Sequence, residues 1–369
     1  MLQFNPYQAD NPARGAGFVG RETQLLQATT LATQSKDAAV LGYSRWGKTS
    51  LLQALVGSGG VIDGIDVIYL GYSGNSLDAF LHQLQDALTL SGPNTVQLAN
   101  KSTASQTLHA LSSGYQDSGK MLLVLMDETE QLFRDSSIVH QFRDYNQQLP
   151  AVSFLYAIFP HVFERMQESS SRFQDTVTMI PLTPFNLEQT RALVTLCQDS
   201  DAMRGLAQIP QRLMYLLTFD PFRVEEGLTQ RVQEVTGGFP FLVQTYMKML
   251  VDYAAEQGKE PLYLNNEIAA AMEVHFTDAI RPQISHLWNA FSSLQRTMIL
   301  YVLKNPGITD EGLWKATESF HVKNDSVYLG ALSPLTYTRG VGLVTDGNTF
   351  AIPGSAVRAS LLRYTERMS

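Results

Sequence analysis

The chain has 369 residues, of which 44% are hydrophobic and 17% are charged. This length exceeds one ordinary domain, and the apolar share is enough to bury several cores. The formal net charge of −8 argues against broad, nonspecific nucleic-acid binding, because such binding depends on Lys and Arg displacing counterions from phosphates.

Two further features concern the compartment. The N-terminal residues do not have the pattern of a signal peptide, and no run of about 18 uncharged apolar residues occurs. The single cysteine, Cys197, excludes an intrachain disulfide and a Cys-based zinc site, and we expect it to be a small buried apolar residue. The sequence therefore predicts a cytoplasmic protein without membrane insertion.

One segment carries the strongest chemical signal: Gly42-Tyr43-Ser44-Arg45-Trp46-Gly47-Lys48-Thr49-Ser50. It follows an apolar run and precedes a helix-favouring stretch, which is the order of a phosphate-binding P-loop. The two glycines allow the backbone to curve around an anion, and the N–H groups of residues 45–49 are predicted to point at it. Lys48 is predicted to lie along the β- and γ-phosphates of bound ATP or ADP, and the Thr49 hydroxyl to ligate Mg²⁺. Trp46 is expected to act mainly in packing.

A second signal lies where the apolar run 121–126 ends in Asp127 and Glu128. A continuous apolar run is typical of a parallel strand that is covered on both faces and whose carboxyl end opens onto a site. Asp127 is predicted to hold Mg²⁺ through its water shell beside Thr49, and Glu128 to orient and deprotonate the attacking water. Two acids after a strand also occur at solvated helix starts, so this assignment depends on the P-loop upstream.

Further apolar runs complete a predicted five-stranded, doubly wound α/β domain. They lie at residues 67–70, 152–159 and 176–180, and the helices among them include 22–34 and 76–90. The strand between the P-loop and the acidic strand places the chain with the NTPases that use a Glu base rather than with the kinases. The polar section 91–118 is expected to be a surface connection with one short helix near 107–112.

Composition and turn signals divide the chain into four predicted parts. They are a leader at 1–17, the α/β core at 18–184, a helical lid at 185–284 and a winged helix at 285–369. The helices predicted after the core lie at 187–196, 227–236, 241–256, 267–276, 294–303, 309–317 and 327–335. The wing is predicted to be a hairpin in which an Asp346-Gly347 turn joins residues 342–344 to 349–352.

Five features follow one another along the chain: Phe18-Val19-Gly20-Arg21-Glu22, the P-loop, the acidic strand end, Pro181-Leu182-Thr183, and Gly237-Gly238-Phe239-Pro240-Phe241-Leu242. In order and spacing they resemble the STAND ATPases and their archaeal-ATPase relatives, over roughly residues 5–362. The resemblance implies a nucleotide held between core, lid and winged helix, with a closed ADP state and an open ATP state that oligomerises or engages a protein partner. By position it implies that Val19, Gly20 and Arg21 line the adenine side, and that Pro240 closes over the nucleotide from the lid.

Two positions depart from the pattern of that family. The end of the fourth strand usually carries a small polar or Arg residue that senses the γ-phosphate, whereas this chain has Phe159-Pro160-His161. His161 is a candidate for the sensor, and an ordinary loop histidine is the alternative. The lid motif commonly has His before Pro, and Phe239 at that position removes a polar contact to the nucleotide.

Three hypotheses for function follow. The first is a regulatory ATPase with slow hydrolysis, in which the bound nucleotide sets the domain arrangement and hence the choice of partner. The second is a DNA-associated ATPase, such as an initiator or a transposition helper; the candidate recognition helix 327–335 has no Arg, Lys, Asn or Gln to read base edges, which argues against it. The third is a nucleotide-binding scaffold without turnover, against which Glu128 argues, because an inactive site tolerates the loss of that residue.

Overall fold

The computed structural model describes residues 2–3, 5–57, 64–91, 104–169, 173–199, 217–218, 222–257, 263–318, 325–332, 335–336 and 349–366. The chain forms two compact units. The sheet unit comprises residues 21–43 and 48–182, and the helical unit comprises residues 1–20, 44–47 and 183–369. None of the described helices combines the length and the hydropathy needed to span a bilayer.

A five-stranded parallel sheet forms the centre of the sheet unit. Its strands are β1 (Asp37–Leu41), β2 (Ile65–Gly71), β3 (Met121–Asp127), β4 (Val152–Ile158) and β5 (Val177–Pro181). Their order is β2-β3-β4-β1-β5, so β4 lies between the strand that precedes the P-loop and the acidic strand. Every residue of β1 and β4 is buried, as expected for apolar strands inside a parallel sheet. The predicted P-loop type of α/β fold is confirmed.

Seven helices belong to the sheet unit within the described residues. They are α1 (Glu22–Thr33), α2 (Lys48–Gly57), α3 (Leu77–Ser91), α4 (Ala104–Asp117), α5 (Ser136–Gln148), α6 (Pro160–Ser169) and α7 (Phe173–Thr176). The helix predicted near 107–112 was placed correctly but made too short, because α4 has 14 residues. Its buried residues Leu108, Leu111 and Tyr115 recur at helical spacing, and the helix packs against β3 rather than forming only a surface connection.

A 3-10 helix, Thr129–Arg134, follows the acidic end of β3. Phe133 anchors this helix in the core, with its ring centre 5.3 Å from that of Phe142 and 5.5 Å from that of Tyr156. Both pairs meet edge to face, the arrangement that aromatic quadrupoles favour. The backbone after Asp127 is therefore fixed by packing one turn away from the carboxylates.

The helical unit contains nine helices in its described part. They are α8 (Leu187–Val194), α9 (Leu228–Thr236), α10 (Pro240–Glu256), α11 (Asn266–Ala279), α12 (Arg281–Ala290), α13 (Ser293–Lys304), α14 (Asp310–Thr317), α15 (Asp325–Leu332) and α16 (Ser355–Glu366). A 3-10 helix covers Thr195–Gln198. Side-chain caps define several helix starts: Asn186 and Ser292 form capping boxes, and Asn265 accepts a hydrogen bond from Ile268 N–H at 2.9 Å.

The N-terminal segment is anchored in this unit. Leu2–Gln3 pairs in parallel with Leu217–Thr218. The side chain of Tyr7 is 2% exposed, and its hydroxyl donates a hydrogen bond to the Val194 carbonyl at 2.8 Å. Cys197 is buried nearby, as predicted, and burial raises the pKa of its thiol to about 11. The segment predicted to be a leader thus contributes core packing through Tyr7.

The C-terminal part matches the winged-helix prediction only in its helices. The third predicted helix begins at Asp325 and ends at Leu332, two or three residues before the predicted bounds. The strand predicted at 342–344 and the Asp346-Gly347 turn lie outside the described residues. Phe350, on the predicted return strand, pairs antiparallel with Ile308 in a single bridge. Because the hairpin itself is not described, the winged helix stays a prediction.

The Gly237-Gly238 break between α9 and α10 is required by close approach of backbone. Both residues have positive φ, 67° and 75°. The Gly238 carbonyl accepts a hydrogen bond from Phe185 N–H at 2.7 Å, and a Cβ atom on Gly238 would overlap the Phe185 carbonyl oxygen. A Cβ on Gly237 would lie 2.8 Å from the Pro353 carbonyl carbon. The break therefore lets three chain segments of the helical unit meet.

A buried carboxyl group lies at the start of β1. Asp37 accepts hydrogen bonds from Phe154 N–H at 2.8 Å and from the Tyr156 hydroxyl at 3.1 Å, both on β4. Burial raises the pKa of Asp37 to about 7, although both hydrogen bonds act in the opposite direction. Asp37 thus joins β1 to β4 with a group that titrates near neutral pH.

We predict that Gly238→Ala destabilises the helical unit strongly. The new Cβ combines a strained positive φ with a backbone overlap, and we expect a cost of roughly 3 kcal/mol or more in the free energy of unfolding. Gly307→Ala is the matched control, because Gly307 has φ 86° but nothing within 4 Å of its ideal Cβ position. Urea unfolding should show a cost of only about 1 kcal/mol for this control. Equal costs would show that the overlap with Phe185 is not real.

Asp37→Asn should change how stability depends on pH. Because the folded-state pKa lies above the unfolded value, the stabilisation is complete below pH 4 and is lost as the pH rises through 7. The amide does not titrate, so Asp37→Asn should gain roughly 1 kcal/mol per pH unit relative to the natural protein between pH 5 and 7. Free energies of unfolding from urea titrations at pH 5, 6, 7 and 8 measure this difference. Parallel pH profiles would contradict it.

Candidate nucleotide-binding site

The P-loop segment has the backbone that its sequence predicts. β1 ends at Leu41, and Gly42 N–H donates a hydrogen bond to the Ile158 carbonyl at 3.3 Å. Gly47 has φ 94°, and a Cβ there would meet nothing within 4 Å, so its left-handed backbone, not lack of space, favours glycine. α2 begins at Lys48, and the first N–H groups of a helix have no partner within the helix. The loop therefore presents backbone donors, which suit an anion.

Lys48 is buried at the start of α2. Its ammonium group donates hydrogen bonds to the carbonyls of Gly42 at 2.7 Å and Tyr43 at 3.2 Å, and it lies 4.2 Å from the ring centre of Phe159. Burial lowers the pKa of Lys48 to about 8, while the charges of Glu130 and Asp127 act in the opposite direction. A buried cation is thus held against the inside of the loop, with two carboxylates in its electrostatic range.

Asp127 is the point at which the site's elements meet. Its Oδ2 atom accepts hydrogen bonds from the Thr49 hydroxyl at 2.7 Å and from the Tyr69 hydroxyl at 2.9 Å, and its Oδ1 atom accepts one from Glu128 N–H at 3.1 Å. The residue is only 3% exposed. The structure thus brings together α2, β2 and the end of β3 around one carboxylate.

Two further acids follow Asp127. Glu128 is exposed and adopts a left-handed backbone, with φ 59° and ψ 25°, which is uncommon for a residue other than glycine. Glu130 is half-buried, and burial raises the pKa of its carboxyl, partly offset by the charge of Lys48. Sequence reasoning missed Glu130, although a third acid so close to the strand end was a usable signal. Sequence reasoning also missed Tyr69, because nothing distinguishes this residue from the other strand-forming residues of β2.

Phe159 and His161 occupy the predicted sensor position. Their rings stack with centres 5.5 Å apart and planes 11° apart. Burial, followed by the charges of Arg165 and Lys48, lowers the pKa of His161, so its imidazole is neutral at physiological pH. Its buried Nδ1 atom has no hydrogen-bond partner among the described residues. The group available here is therefore a neutral ring, not a cation.

Loop residues 44–47 group with the helical unit, and two of them, Arg45 and Trp46, contact aromatic rings of that unit. Trp46 is 4% exposed and packs against Phe239, with ring centres 5.1 Å apart, consistent with the packing role expected from the sequence. Arg45 has φ 65°, and its guanidinium lies 4.3 Å from the ring centre of Phe241. Ser44, Arg45 and Trp46 also line a cavity of about 310 Å³ with residues of α10 and α12. Ser50 follows in the first turn of α2 and is half-buried.

The residues assigned by resemblance to the adenine side lie in both units. Val19 and Gly20 belong to the helical unit, where the Gly20 carbonyl accepts a hydrogen bond from the Gln189 amide at 2.8 Å. Arg21 belongs to the sheet unit; it is 3% exposed, and burial lowers its pKa to about 10. Pro240 is the first residue of α10, where its fixed φ favours helix initiation. Their contacts to a nucleotide stay predictions.

Thr49 and Asp127 are the candidate ligands for a metal ion at this site. Among the described residues, no group of three or more His, Cys, Asp or Glu side chains is arranged to hold a metal ion. Mg²⁺ is commonly held by one or two protein oxygens together with water and substrate phosphates. The Thr49 hydroxyl and the Asp127 carboxylate, 2.7 Å apart beside the P-loop, fit that donor set.

Comparison with known proteins found matches among solved structures. No protein-family model and no curated protein matches the sequence. The ORC2 protein of Aeropyrum pernix, solved as ADPNP–ADP complexes, is 13% identical with a TM-score of 0.55, over 100% of this chain and 99% of that one. The Walker-type ATPase PABY2304 of Pyrococcus abyssi is 12% identical with a TM-score of 0.56, over 97% and 100%. The chain therefore shares its fold with these two archaeal proteins, and the narrower STAND resemblance stays a prediction.

The backbone of Glu128 generates a prediction on stability. Glycine adopts a left-handed conformation without the steric cost that a Cβ imposes. Glu128→Gly should therefore be more stable than Glu128→Ala by about 1 kcal/mol, the reverse of the usual order. Both variants lose the carboxylate, so their difference in thermal or urea unfolding isolates the backbone. A more stable alanine variant would contradict the positive φ.

Proposed function

We propose that the protein binds ATP and ADP at the P-loop and hydrolyses ATP with Mg²⁺. The observation that carries this proposal is the 2.7 Å hydrogen bond between Thr49 and Asp127, next to the buried Lys48. A P-loop Thr beside a strand-end Asp is the pair that holds Mg²⁺ in P-loop NTPases. The fold shared with archaeal P-loop ATPases supports the proposal.

The phosphates would be bound by the loop backbone and by Lys48. The N–H groups of residues 45–49 lie in the loop before α2 and in its first turn, where the helix dipole also favours an anion. Lys48 now donates to the carbonyls of Gly42 and Tyr43. Phosphate oxygens would be stronger acceptors than these carbonyls, since both partners would be charged. Nucleotide binding is thus expected to draw the Lys48 ammonium away from the loop backbone.

The hydrolytic step would depend on the acids after β3. Bound Mg²⁺ would neutralise charge that develops on the phosphates. Thr49 and Asp127 would hold it, and Glu128 would orient the attacking water and accept its proton. Glu128 N–H donates a hydrogen bond to Asp127, so the backbone that carries the base is tied to the metal-binding carboxylate. Glu130, half-buried and in the electrostatic range of Lys48, would tune the site without contacting the water.

We propose that Phe159 and His161, at the sensor position, interact only weakly with the γ-phosphate. Phe159 offers no hydrogen bond, and the pKa of His161 is lowered by burial, which leaves a neutral ring. A neutral imidazole can donate one hydrogen bond to a phosphate but adds no charge. We therefore propose slow hydrolysis, which suits a switch that must dwell in its ATP state.

The division of the loop between the two units supports a proposed regulatory role. Residues 44–47 group with the helical unit, whereas residues 48–182 group with the sheet unit. Arg45 and Trp46 contact Phe241 and Phe239, next to the start of α10. Movement of Arg45 and Trp46 on nucleotide binding would therefore change their contacts with Phe241 and Phe239. We propose that the nucleotide state controls engagement of a protein partner or self-association.

DNA association is not favoured by the described residues. α15, the candidate recognition helix, carries exposed Val327 and Leu329 but no basic side chain. Basic and acidic residues nearly balance between residues 285 and 369. Affinity for DNA depends on Lys and Arg at phosphates, and specificity on polar side chains at base edges. An exposed apolar helix face suits contact with protein better.

We predict that Glu128→Gln abolishes turnover but not binding. Loss of the base should lower kcat for Mg²⁺–ATP by roughly 100-fold or more, while ATP still binds. Lys48→Ala should instead weaken ATP binding by about tenfold or more, because it removes charged hydrogen bonds to phosphate. Glu267→Gln, at an exposed helix start, is the control and should match the natural protein. Phosphate release and equilibrium binding of a fluorescent ATP analogue measure both effects.

Equal, near-zero hydrolysis by the natural protein and by Glu128→Gln would remove the claim of an enzyme. If both then bound ATP equally well, the non-hydrolysing scaffold would be the better description.

A further inference from the structure

Tyr69 reaches Asp127 from the neighbouring strand. β2 and β3 are parallel, and Tyr69 pairs with Leu125, two residues before Asp127. Alternate residues of a strand share a face, so Tyr69 and Asp127 lie on the same side of the sheet, offset diagonally. The half-buried tyrosine ring spans this offset, and its hydroxyl ends 2.9 Å from Asp127 Oδ2.

The Tyr69 hydroxyl belongs to a short series of hydrogen-bonded side chains. Asp127 Oδ2 accepts hydrogen bonds from both Tyr69 and Thr49. The side chain of Gln53 also lies within hydrogen-bonding reach of the Tyr69 hydroxyl. Gln53 is four residues after Thr49 on α2, and residues at this spacing share a helix face. The first and last members of the series Gln53–Tyr69–Asp127–Thr49 therefore lie on the same face of α2.

We propose that Tyr69 is a positioning residue of the metal site: its hydroxyl fixes Asp127 in the orientation needed to hold Mg²⁺ on a bound nucleotide. This role rests on the function proposed above. A free carboxylate rotates about its last bond, and a donor that fixes one oxygen reduces the entropy lost when the metal binds. Groups that orient metal ligands in this way commonly change metal affinity by 10- to 100-fold.

The chemistry of the donor supports this role. A Lys or Arg in place of Tyr69 would orient the carboxylate but would also neutralise it, and would repel the cation. A phenol is neutral at physiological pH, so it directs the carboxylate and leaves its negative charge available to the metal. An apolar ring of the same size would fill the space but would remove one of the three hydrogen bonds that orient Asp127, leaving those from the Thr49 hydroxyl and Glu128 N–H.

The test is the magnesium dependence of nucleotide binding. Affinity for a fluorescent ADP analogue is measured in EDTA and over a series of free Mg²⁺ concentrations. Tyr69→Phe should raise the Mg²⁺ concentration at half-maximal enhancement about tenfold, with affinity in EDTA unchanged. Tyr72→Phe is the matched control; the Tyr72 hydroxyl donates to the Ser76 carbonyl at 2.7 Å and should leave both quantities unchanged.

A double-mutant comparison assigns the effect to Asp127. Asp127→Asn alone should lose most of the magnesium dependence, and adding Tyr69→Phe to it should cause no further change. An unchanged Mg²⁺ midpoint in Tyr69→Phe would overturn the role of Tyr69 and leave the proposed function intact. A natural protein that binds nucleotide equally well with and without Mg²⁺ would overturn both the role of Tyr69 and the metal site. A natural protein that binds no nucleotide would overturn the proposed function itself.

Discussion

The hydrogen bond between Thr49 and Asp127 is the contact on which the candidate site depends. It joins the first turn of α2 to the last residue of β3. Because β4 lies between β1 and β3, the ends of those two strands are separated by roughly 10 Å, two strand spacings. No pair of short side chains spans that gap. The loop after β1 must therefore lead α2 across the end of β4, and α2 indeed contacts both β4 and β3.

Backbone strain is concentrated around this contact. Of the described residues other than glycine, three have positive φ, and two of them, Arg45 and Glu128, lie in the P-loop and directly after Asp127. Each conformation costs on the order of 1–2 kcal/mol, so it persists only where other contacts impose it. Arg45 is held over Phe241, and Glu128 by its N–H bond to Asp127 and by the packing of Phe133. Strain in these positions is typical of a site shaped for a ligand.

Local sequence predicted much of the fold and the centre of the site. All five sheet strands and about half of the described helices lie within about two residues of their predicted bounds, because apolar runs and helical spacing are local signals. Five described helices, α5, α6, α7, α12 and α16, were not predicted. Lys48, Thr49 and Asp127 were predicted from the motif and the strand end; the structure places Thr49 and Asp127 2.7 Å apart, and their roles stay predictions. The order of the strands was not predicted, since insertion of β4 between β1 and β3 is a long-range choice.

What the sequence could not supply depends on partners far along the chain. Tyr69 is an ordinary strand residue until β2 pairs with β3 and brings its hydroxyl to Asp127. The need for glycine at 238 comes from Phe185, and the raised pKa of Asp37 comes from burial against β4. Patterns within one segment carry no information on such contacts. The predicted hairpin of the wing falls largely on residues that the structure does not describe.

The P-loop, Lys48 and Asp127 are proposed to hold a magnesium nucleotide together, and a crystal structure with a slowly hydrolysed ATP analogue and Mg²⁺ would show whether they do. We expect phosphates on the N–H groups of residues 45–49 and Lys48 Nζ moved from the Gly42 and Tyr43 carbonyls to phosphate oxygens. We also expect Mg²⁺ on Thr49, with Asp127 behind its water. Nucleotide bound elsewhere, or Lys48 still on the two carbonyls with phosphates present, would contradict this proposal.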